Sequence, residues 1–193
     1  EAVLADNTYK FGFYGITAGG WLAHKLHTEY GMKTDHFDFG AEKSVYHITN
    51  TQERKQIFFY ARPVTPRRGF ELGVMALDIF SKQKPEYGIV FAGWDVSNYD
   101  IPFPYTNLSN LNVSQLNEIY NQCAAALVMS LTNMSLLPLE LLSSGVIPVV
   151  NDGQNNRMVS NNKYIEYCDL TPQALADRLE EVVDKQNLPT YSQ

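Results

Sequence analysis

The sequence predicts an α/β protein built around a doubly wound, Rossmann-like parallel sheet. From residue 57 onward, short apolar runs of strand length alternate with longer segments whose apolar residues recur at helical spacing. Hydrophobic residues make up 45% of the 193 residues and charged residues 19%, a balance typical of globular proteins. Because a helix separates successive strands, we expect the strands to run parallel, with helices on both faces of the sheet.

Two strands and a helix are predicted between residues 57 and 94. Residues 57–61 are a run of aromatic and β-branched side chains, which indicates a buried strand. Residues 69–82 place their apolar side chains on one helical face. Residues 87–94 contain Ile-Val-Phe and include Gly93, which predicts a second buried strand that ends in a turn.

The second half of the chain repeats this alternation. Ser114 is predicted to cap a helix that carries Leu116, Ile119 and Tyr120 on one face. A strand is then expected over residues 124–129. The remaining predicted elements are a short helix over 137–144 that Gly145 stops, a strand over 147–150, and a last helix that Thr171 caps.

The first part of the chain has a separate strand–helix–strand pattern. The predicted elements are a strand over 11–16, a helix over 21–30 and a short alternating strand over 36–40. The polar stretch 49–56 is the best candidate for a boundary between this part and the alternating pattern that follows.

Charge and composition exclude several classes of function. Fifteen Lys and Arg against 21 Asp and Glu give a net charge of −6, which disfavours nucleic-acid binding. No apolar run approaches the roughly 20 residues that span a bilayer. No signal peptide is found, and the absence of an initiator methionine suggests a fragment of a longer protein. The two cysteines are predicted to be buried free thiols, as expected in the cytoplasm.

Three arginines stand together in one loop of this acidic chain. Arg62, Arg67 and Arg68 lie between the strand at 57–61 and the following helix, at the sheet edge where doubly wound folds bind ligands. Guanidinium groups beside helix-end amides favour a bound diphosphate. Alternatively, Glu71 forms helix-surface ion pairs with Arg67 or Arg68, and the sequence leaves both interpretations open.

Glu140 is the second candidate binding residue. It lies in a short apolar helix that ends before Gly145, where a carboxylate costs free energy unless it is paired or binds a ligand hydroxyl. A ribose diol offers two donors that one carboxylate can accept. The alternative is an exposed glutamate in the first turn of the helix, which the helix dipole stabilises.

Other common motifs are absent from the sequence. The glycines at 12, 15, 19 and 20 do not match Gly-x-Gly-x-x-Gly, and there is no Walker sequence, no Gly-x-Ser-x-Gly elbow and no Asp-x-Asp. The four histidines show no metal-ligand spacing. We therefore expect neither a bound metal nor a cofactor.

Taken together, these segments resemble the C-terminal half of GT-B glycosyltransferases, most closely bacterial surface-polysaccharide enzymes of the rhamnosyltransferase kind. The resemblance is carried by Tyr-Ala-Arg-Pro at 60–63, Phe-Ala-Gly at 91–93, and above all Pro-Leu-Glu-Leu-Leu-Ser-Ser-Gly-Val-Ile-Pro-Val-Val at 138–150. It covers roughly residues 57–185. It implies that residues 1–50 connect from an acceptor domain lying outside this sequence, and that residues 51–193 form the donor-binding domain.

The resemblance also implies roles for particular residues. Glu140 matches the glutamate that holds the nucleotide ribose, and Arg62 and Arg67 match the basic pair on the diphosphate, with Arg68 as a rival. Thr132 replaces the first, sugar-contacting glutamate of the family's Glu-x7-Glu motif, so the sugar stays open, and Asn151 and Asp152 are alternative sugar contacts. The remaining matches are Ser135, Leu136 and Leu137, whose amides approach the diphosphate and sugar, and Asn110 and Leu111, which border the base.

The implied activity is transfer of a sugar, with rhamnose one candidate, from a dTDP- or UDP-linked donor to a glycan acceptor. The catalytic base is expected on the acceptor domain, so this chain alone is expected to bind nucleotide but to be nearly inactive. The expected location is the cytoplasm, with at most peripheral contact with the membrane. Two alternatives are a nucleotide-sugar epimerase of the same architecture and a non-catalytic sugar- or partner-binding module.

Overall fold

The computed structural model describes residues 2–185. Its first part contains a small two-stranded parallel sheet with a helix between the strands. The elements are α1 (Ala2–Thr8), β1 (Tyr14–Ala18), α2 (Gly20–Tyr30) and β2 (Lys33–Phe37). The predicted strand–helix–strand order is confirmed, but β1 begins three residues later than expected and β2 three residues earlier. Gly31 ends α2 in the left-handed conformation (φ 65°), and β2 begins two residues later.

The larger sheet has six strands, and every neighbouring pair is parallel. In chain order they are β3 (Gln56–Tyr60), β4 (Gly88–Ala92), β5 (Thr106–Asn107), β6 (Cys123–Val128), β7 (Ile147–Asn151) and β8 (Glu166–Cys168). Across the sheet the order is β5-β4-β3-β6-β7-β8. The chain first builds outward from β3 and then crosses back to build outward from β6. The point where the order reverses therefore lies between β3 and β6, which is where such sheets bind ligands.

Helices cover both faces of this sheet, so the predicted doubly wound fold is confirmed. The helices that follow β3 are α3 (Phe70–Gln83), α4 (Val113–Tyr120), α5 (Leu137–Ser143), α6 (Gln154–Arg157) and α7 (Pro172–Lys185). Helices α3 and α7 pack with one face of the sheet, and α4 and α5 contribute to the core on the other. Within residues 2–185, no helix is both long and apolar enough to span a bilayer.

The buried strands fill both cores with alternating side chains. In β3, Ile57 and Phe59 belong to the core beneath α3 and α7, whereas Phe58 belongs to the opposite core. Gly73 of α3 lies directly over Phe59, and a Cβ at that position would be only 2.3 Å from the ring. The strand and the helix therefore approach each other closely because residue 73 has no side chain.

The cap of helix α4 lies two residues before the predicted one. The N-cap is Asn112 rather than Ser114, because Asn112 and Gln115 form a reciprocal capping box, each side chain bonding the other's backbone N–H at 3.0 Å. The predicted cap of the last helix is confirmed, since the Thr171 hydroxyl accepts the Ala174 N–H at 3.2 Å.

A buried asparagine fixes the segment that connects the two sheets. Asn121 is 2% exposed, and its side-chain oxygen accepts the N–H groups of Thr49 (2.7 Å) and Asn50 (3.2 Å). Its amide nitrogen donates to the His47 carbonyl at 3.0 Å. Arg54 adds bonds to the Asn121 side-chain oxygen and the Ser144 carbonyl. The predicted boundary segment is thus bonded to the larger sheet's helices.

Candidate functional site

Two loops meet where the strand order reverses. One follows β3 and leads through a short 3₁₀ turn (Pro66–Arg68) into α3, and the other follows β6 and leads into α5. They are joined by a hydrogen bond from the Leu131 N–H to the Arg67 carbonyl at 2.9 Å. The candidate site is therefore formed by two segments that lie about 60 residues apart in the sequence.

The first loop carries the three arginines predicted to bind a diphosphate. Arg67 is exposed, whereas Arg62 and Arg68 are half-buried. Within residues 2–185, none of the three forms a salt bridge with a carboxylate, so the alternative pairing of Arg67 or Arg68 with Glu71 is not observed. Unlike Arg157 and Arg178, which are both paired, these guanidinium groups are available to an anion.

Arg68 shows the electrostatic character of the loop most clearly. Burial lowers the pKa of its guanidinium, and the positive charges of Arg67 and Arg62 lower it further. The group still stays protonated at neutral pH, because the pKa of a guanidinium group lies far above neutrality. Three like charges are thus held together, and a bound anion would relieve their repulsion.

The second loop supplies free backbone donors. The N–H groups of Ser135, Leu136 and Leu137 donate no hydrogen bond to any acceptor among the described residues. Leu137 is the first residue of α5, Ser135 and Leu136 directly precede it, and amides at a helix start have no intrahelical partners. Pro138 follows without an N–H of its own. The residues that the resemblance assigned to the diphosphate and sugar therefore have amides that a ligand can use.

Glu140 lies in the first turn of α5, half-buried beside tyrosines. Burial raises the pKa of its carboxyl, and an interaction with the Tyr46 hydroxyl opposes the shift. The ring of Tyr46 stacks on Tyr120, with centroids 6.0 Å apart. Glu140 is therefore not the exposed first-turn glutamate of the alternative interpretation, because it is half-buried. The carboxylate is partly desolvated, as a group that binds ligand hydroxyls in a cleft would be.

Tyrosines link the arginine loop to Glu140. The negative charge of Glu140 and the nearby Tyr46 and Tyr60 raise the pKa of the buried Tyr120, which burial has already raised. The Tyr60 hydroxyl in turn accepts two hydrogen bonds from Arg62. Tyr60, which holds Arg62, and Glu140 therefore both lie near enough to Tyr120 to affect its pKa.

The alternative sugar contacts at 151 and 152 are not supported. Asn151 is 2% exposed, and its side chain bonds both the N–H (2.8 Å) and the carbonyl (2.9 Å) of Ser130. Asp152 forms a bidentate pair with Arg157 at 2.6 and 2.8 Å, which lowers the pKa of its carboxyl. Asn151 thus holds the loop after β6, and Asp152 is committed to Arg157 of α6, so neither side chain is left free for a ligand.

Thr132 is held in the same loop through its main chain. Its carbonyl accepts hydrogen bonds from the Asn155 amide and from the Ser130 hydroxyl. The Thr132 side chain makes no hydrogen bond to another described residue. The position that carries a glutamate in the family pattern is thus a half-buried threonine in an ordered loop.

Asn110 and Leu111 lie in the loop between β5 and α4. Asn110 is exposed, and Leu111 packs against the core that contains Tyr120. The loop is anchored to the end of β4, because the Gly93 N–H donates to the Ser109 carbonyl at 2.6 Å. The base-binding role of Asn110 and Leu111 stays a prediction.

A cavity of about 360 Å³ lies elsewhere, between the end of β8 and α7. Its lining includes the carboxylates of Asp152, Asp169, Asp177 and Glu181, and Arg178 there is paired with Glu166 and Glu181. A diphosphate would be repelled by this lining. Among residues 2–185, no group of three or more His, Cys, Asp or Glu side chains is arranged to hold a metal ion.

Residues 55–180 match the protein family described as the C-terminal domain of WsaF, over more than half of the chain. The chain belongs to this family. The chain is also 31% identical over 189 residues to the O-antigen biosynthesis protein RfbC of Myxococcus xanthus. That alignment covers 94% of this chain but only 15% of RfbC, so the chain corresponds to a small part of that relative.

Solved structures confirm the fold of this WsaF-type domain. Sucrose-phosphate synthase from Thermosynechococcus elongatus superposes with a TM-score of 0.76 at 13% identity, over 98% of this chain and 53% of that one. Anabaena HepE, solved with UDP and glucose, gives 0.75 at 12% identity, over 98% and 59%. The resemblance to the Rossmann-like half of GT-B glycosyltransferases, stated from sequence, is thereby confirmed for the fold.

Sequence reasoning missed one residue of the site. Tyr60 holds Arg62 through two hydrogen bonds, whereas the sequence pattern indicates only a strand residue in the Tyr-Ala-Arg-Pro match. A usable indication was present, since residues 60 and 62 are two apart in extended chain and so point to the same side.

Proposed function

We propose that this domain binds the nucleoside diphosphate sugar donor of a glycosyltransferase. The observation that carries the proposal is a set of three guanidinium groups at the point where the strand order reverses, none of which pairs with a carboxylate of residues 2–185. The WsaF family membership supports it, as does the fold shared with HepE, whose structure holds UDP and glucose.

In this proposal the diphosphate lies between the two loops. Arg62, Arg67 and Arg68 face it from the loop after β3, and the free amides of 135–137 face it from the start of α5. Charge-assisted bonds from arginine to phosphate are stronger than bonds between neutral groups. The two sets of donors would hold the diphosphate from both sides and leave the sugar near the loop that contains Thr132.

Glu140 would accept hydrogen bonds from the ribose. Its partial burial beside Tyr46 makes an unsatisfied carboxylate costly, and sugar hydroxyls would satisfy it. Asn110 and Leu111 would border the base. Nothing in these residues selects between dTDP and UDP, and both are candidate carriers.

The chemistry that we infer is attack of an acceptor hydroxyl on the anomeric carbon, with cleavage of the bond from that carbon to the diphosphate oxygen. Negative charge then develops on the leaving diphosphate, and preorganised arginines and amides stabilise it as it forms. This arrangement requires no metal ion. We propose that the base that takes the acceptor proton lies outside this chain.

The RfbC relative is described as an O-antigen biosynthesis protein, which supports a glycan acceptor in bacterial surface-polysaccharide synthesis. Rhamnose is one candidate sugar. We place the reaction in the cytoplasm, with membrane contact no more than peripheral.

Titration calorimetry with UDP and dTDP tests the proposal. Arg67→Ala is expected to weaken binding of the preferred nucleotide about ten- to hundredfold, the equivalent of one charge-assisted contact. Lys82→Ala is the matched control, because it removes one exposed positive charge at the far end of α3. Equal affinities for the unaltered chain and Arg67→Ala would show that the phosphate site is elsewhere.

Incubation with UDP-glucose or a dTDP-sugar, without acceptor, separates transfer from epimerisation. The proposal predicts an unchanged donor and at most slow hydrolysis. Conversion of the donor to its epimer would favour the epimerase alternative, and failure to bind any nucleotide would favour a non-catalytic module.

A further inference from the structure

Tyr60 is the last residue of β3, and its hydroxyl is occupied by a single partner. The oxygen accepts hydrogen bonds from Arg62 Nε at 2.9 Å and from Arg62 Nη2 at 2.7 Å. The guanidinium carbon of Arg62 lies 5.2 Å from the centroid of the same ring. The tyrosine thus fixes both the position and the plane of the guanidinium group.

The ring of Tyr60 is itself held by the backbone of the neighbouring strand. A Cβ at Gly93, directly after β4, would lie 2.5 Å from a ring carbon of Tyr60. Gly93 also has a φ of 105°, a conformation that side-chain-bearing residues rarely adopt. The absence of a side chain at residue 93 therefore creates the space for the ring, whose other contacts are in the core that contains Tyr120.

Some of the N–H groups of Arg62 remain available to a ligand. A guanidinium group has five N–H bonds, and the tyrosine oxygen takes two of them. Three N–H bonds of Arg62 are left, and no carboxylate among residues 2–185 pairs with them. Because Tyr60 already bonds the guanidinium group, an anion that binds there costs the Arg62 side chain less rotamer freedom.

We propose that Tyr60 is a positioning residue that sets Arg62 for the diphosphate of the donor. The inference rests on the proposed function, because it names how that site is prepared. Tyr60 acts through Arg62, so its hydroxyl matters only while the guanidinium group is present.

The test is a double-mutant cycle measured by titration calorimetry with UDP and dTDP on the 193-residue chain. The variants are Tyr60→Phe, Arg62→Ala and the two combined, with Tyr87→Phe as the control for loss of a hydroxyl at the opposite edge of the sheet. We expect Tyr60→Phe to weaken binding five- to tenfold when Arg62 is present and less than twofold when residue 62 is alanine. Tyr87→Phe is expected to leave the affinity unchanged.

A general loss of structure would lower affinity by the same factor in both backgrounds, and that result would overturn the assignment. It would also be overturned if Tyr60→Phe bound as tightly as the unaltered chain while Arg62→Ala did not. Failure of the unaltered chain to bind either nucleotide would instead overturn the proposed function, and the role of Tyr60 with it.

Arg62→Lys provides a second variant that leaves Tyr60 intact. The ammonium group of lysine cannot form the two hydrogen bonds that Nε and Nη2 donate to the Tyr60 oxygen. We therefore expect Arg62→Lys to lose about as much nucleotide affinity as Tyr60→Phe. Full affinity in Arg62→Lys would contradict the positioning role even if Tyr60→Phe failed to fold.

Discussion

Replacing Asn121 with alanine is expected to destabilise the protein strongly. The side chain is 2% exposed and serves the backbone of the segment between the two sheets: it accepts the Thr49 and Asn50 N–H groups and donates to the His47 carbonyl. Alanine would leave these three backbone groups without their partner. At about 1 kcal/mol each, the free energy of unfolding should fall by about 3 kcal/mol.

For a chain of this length, such a loss corresponds to a fall of about 6–12 °C in melting temperature. Urea denaturation followed by circular dichroism measures the free energy directly, and calorimetry measures the melting temperature. Asn110→Ala is the control, because Asn110 is exposed. If Asn121→Ala lost less than about 1 kcal/mol, the segment could not depend on this side chain in the way we infer.

Three further predictions concern a carboxylate, a glycine and the thiols. Burial raises the pKa of Glu140 above its ordinary 4.5, so the folded state holds that proton more tightly than the unfolded state. We therefore compare the free energies of unfolding of the unaltered protein and of Glu140→Gln by urea titration at several pH values. The stability of the unaltered protein relative to the variant should fall as pH rises from about 4.5 through the raised pKa of Glu140. A difference that does not change with pH would refute this. Gly73→Ala should destabilise the protein by about 1–3 kcal/mol in the same assay, against the usual gain for alanine in a helix, because the new Cβ would overlap Phe59. Burial raises the thiol pKa of Cys123 to about 12 and of Cys168 to about 11, so a thiol reagent at pH 8 should modify neither until urea is added, and rapid modification of the native protein would contradict their burial.

The sequence predicted best the elements with a continuous apolar run or a clear apolar face. Strands β3, β4, β6 and β7 are continuous apolar runs, and the long helices α3 and α7 have clear apolar faces. Four elements were not predicted: α1, of seven residues, and the shorter β5, β8 and α6, of two, three and four residues. Segments of that length have too few residues for a periodic pattern, and pairing with a neighbouring strand or loop decides their structure.

The candidate site was predictable in part. The Arg62–Arg68 cluster stands out from the sequence because it is concentrated in an acidic chain, and Glu140 stands out because its helix is apolar. The sequence could not show that the arginines lack carboxylate partners, since Glu71 was at a suitable spacing. Nor could it show that Asn151 bonds Ser130, because that contact depends on how β6 and β7 end side by side.

The central claim is that a nucleoside diphosphate binds between the loops that follow β3 and β6. Nuclear magnetic resonance of the ¹⁵N-labelled chain, titrated with UDP and with dTDP, tests it directly because each backbone amide and arginine side chain gives its own signal. We predict the largest shifts at the amides of 135–137 and at the Nε–H signals of Arg62, Arg67 and Arg68. Shifts confined to the acidic cavity between β8 and α7, or none with either nucleotide, would contradict the claim.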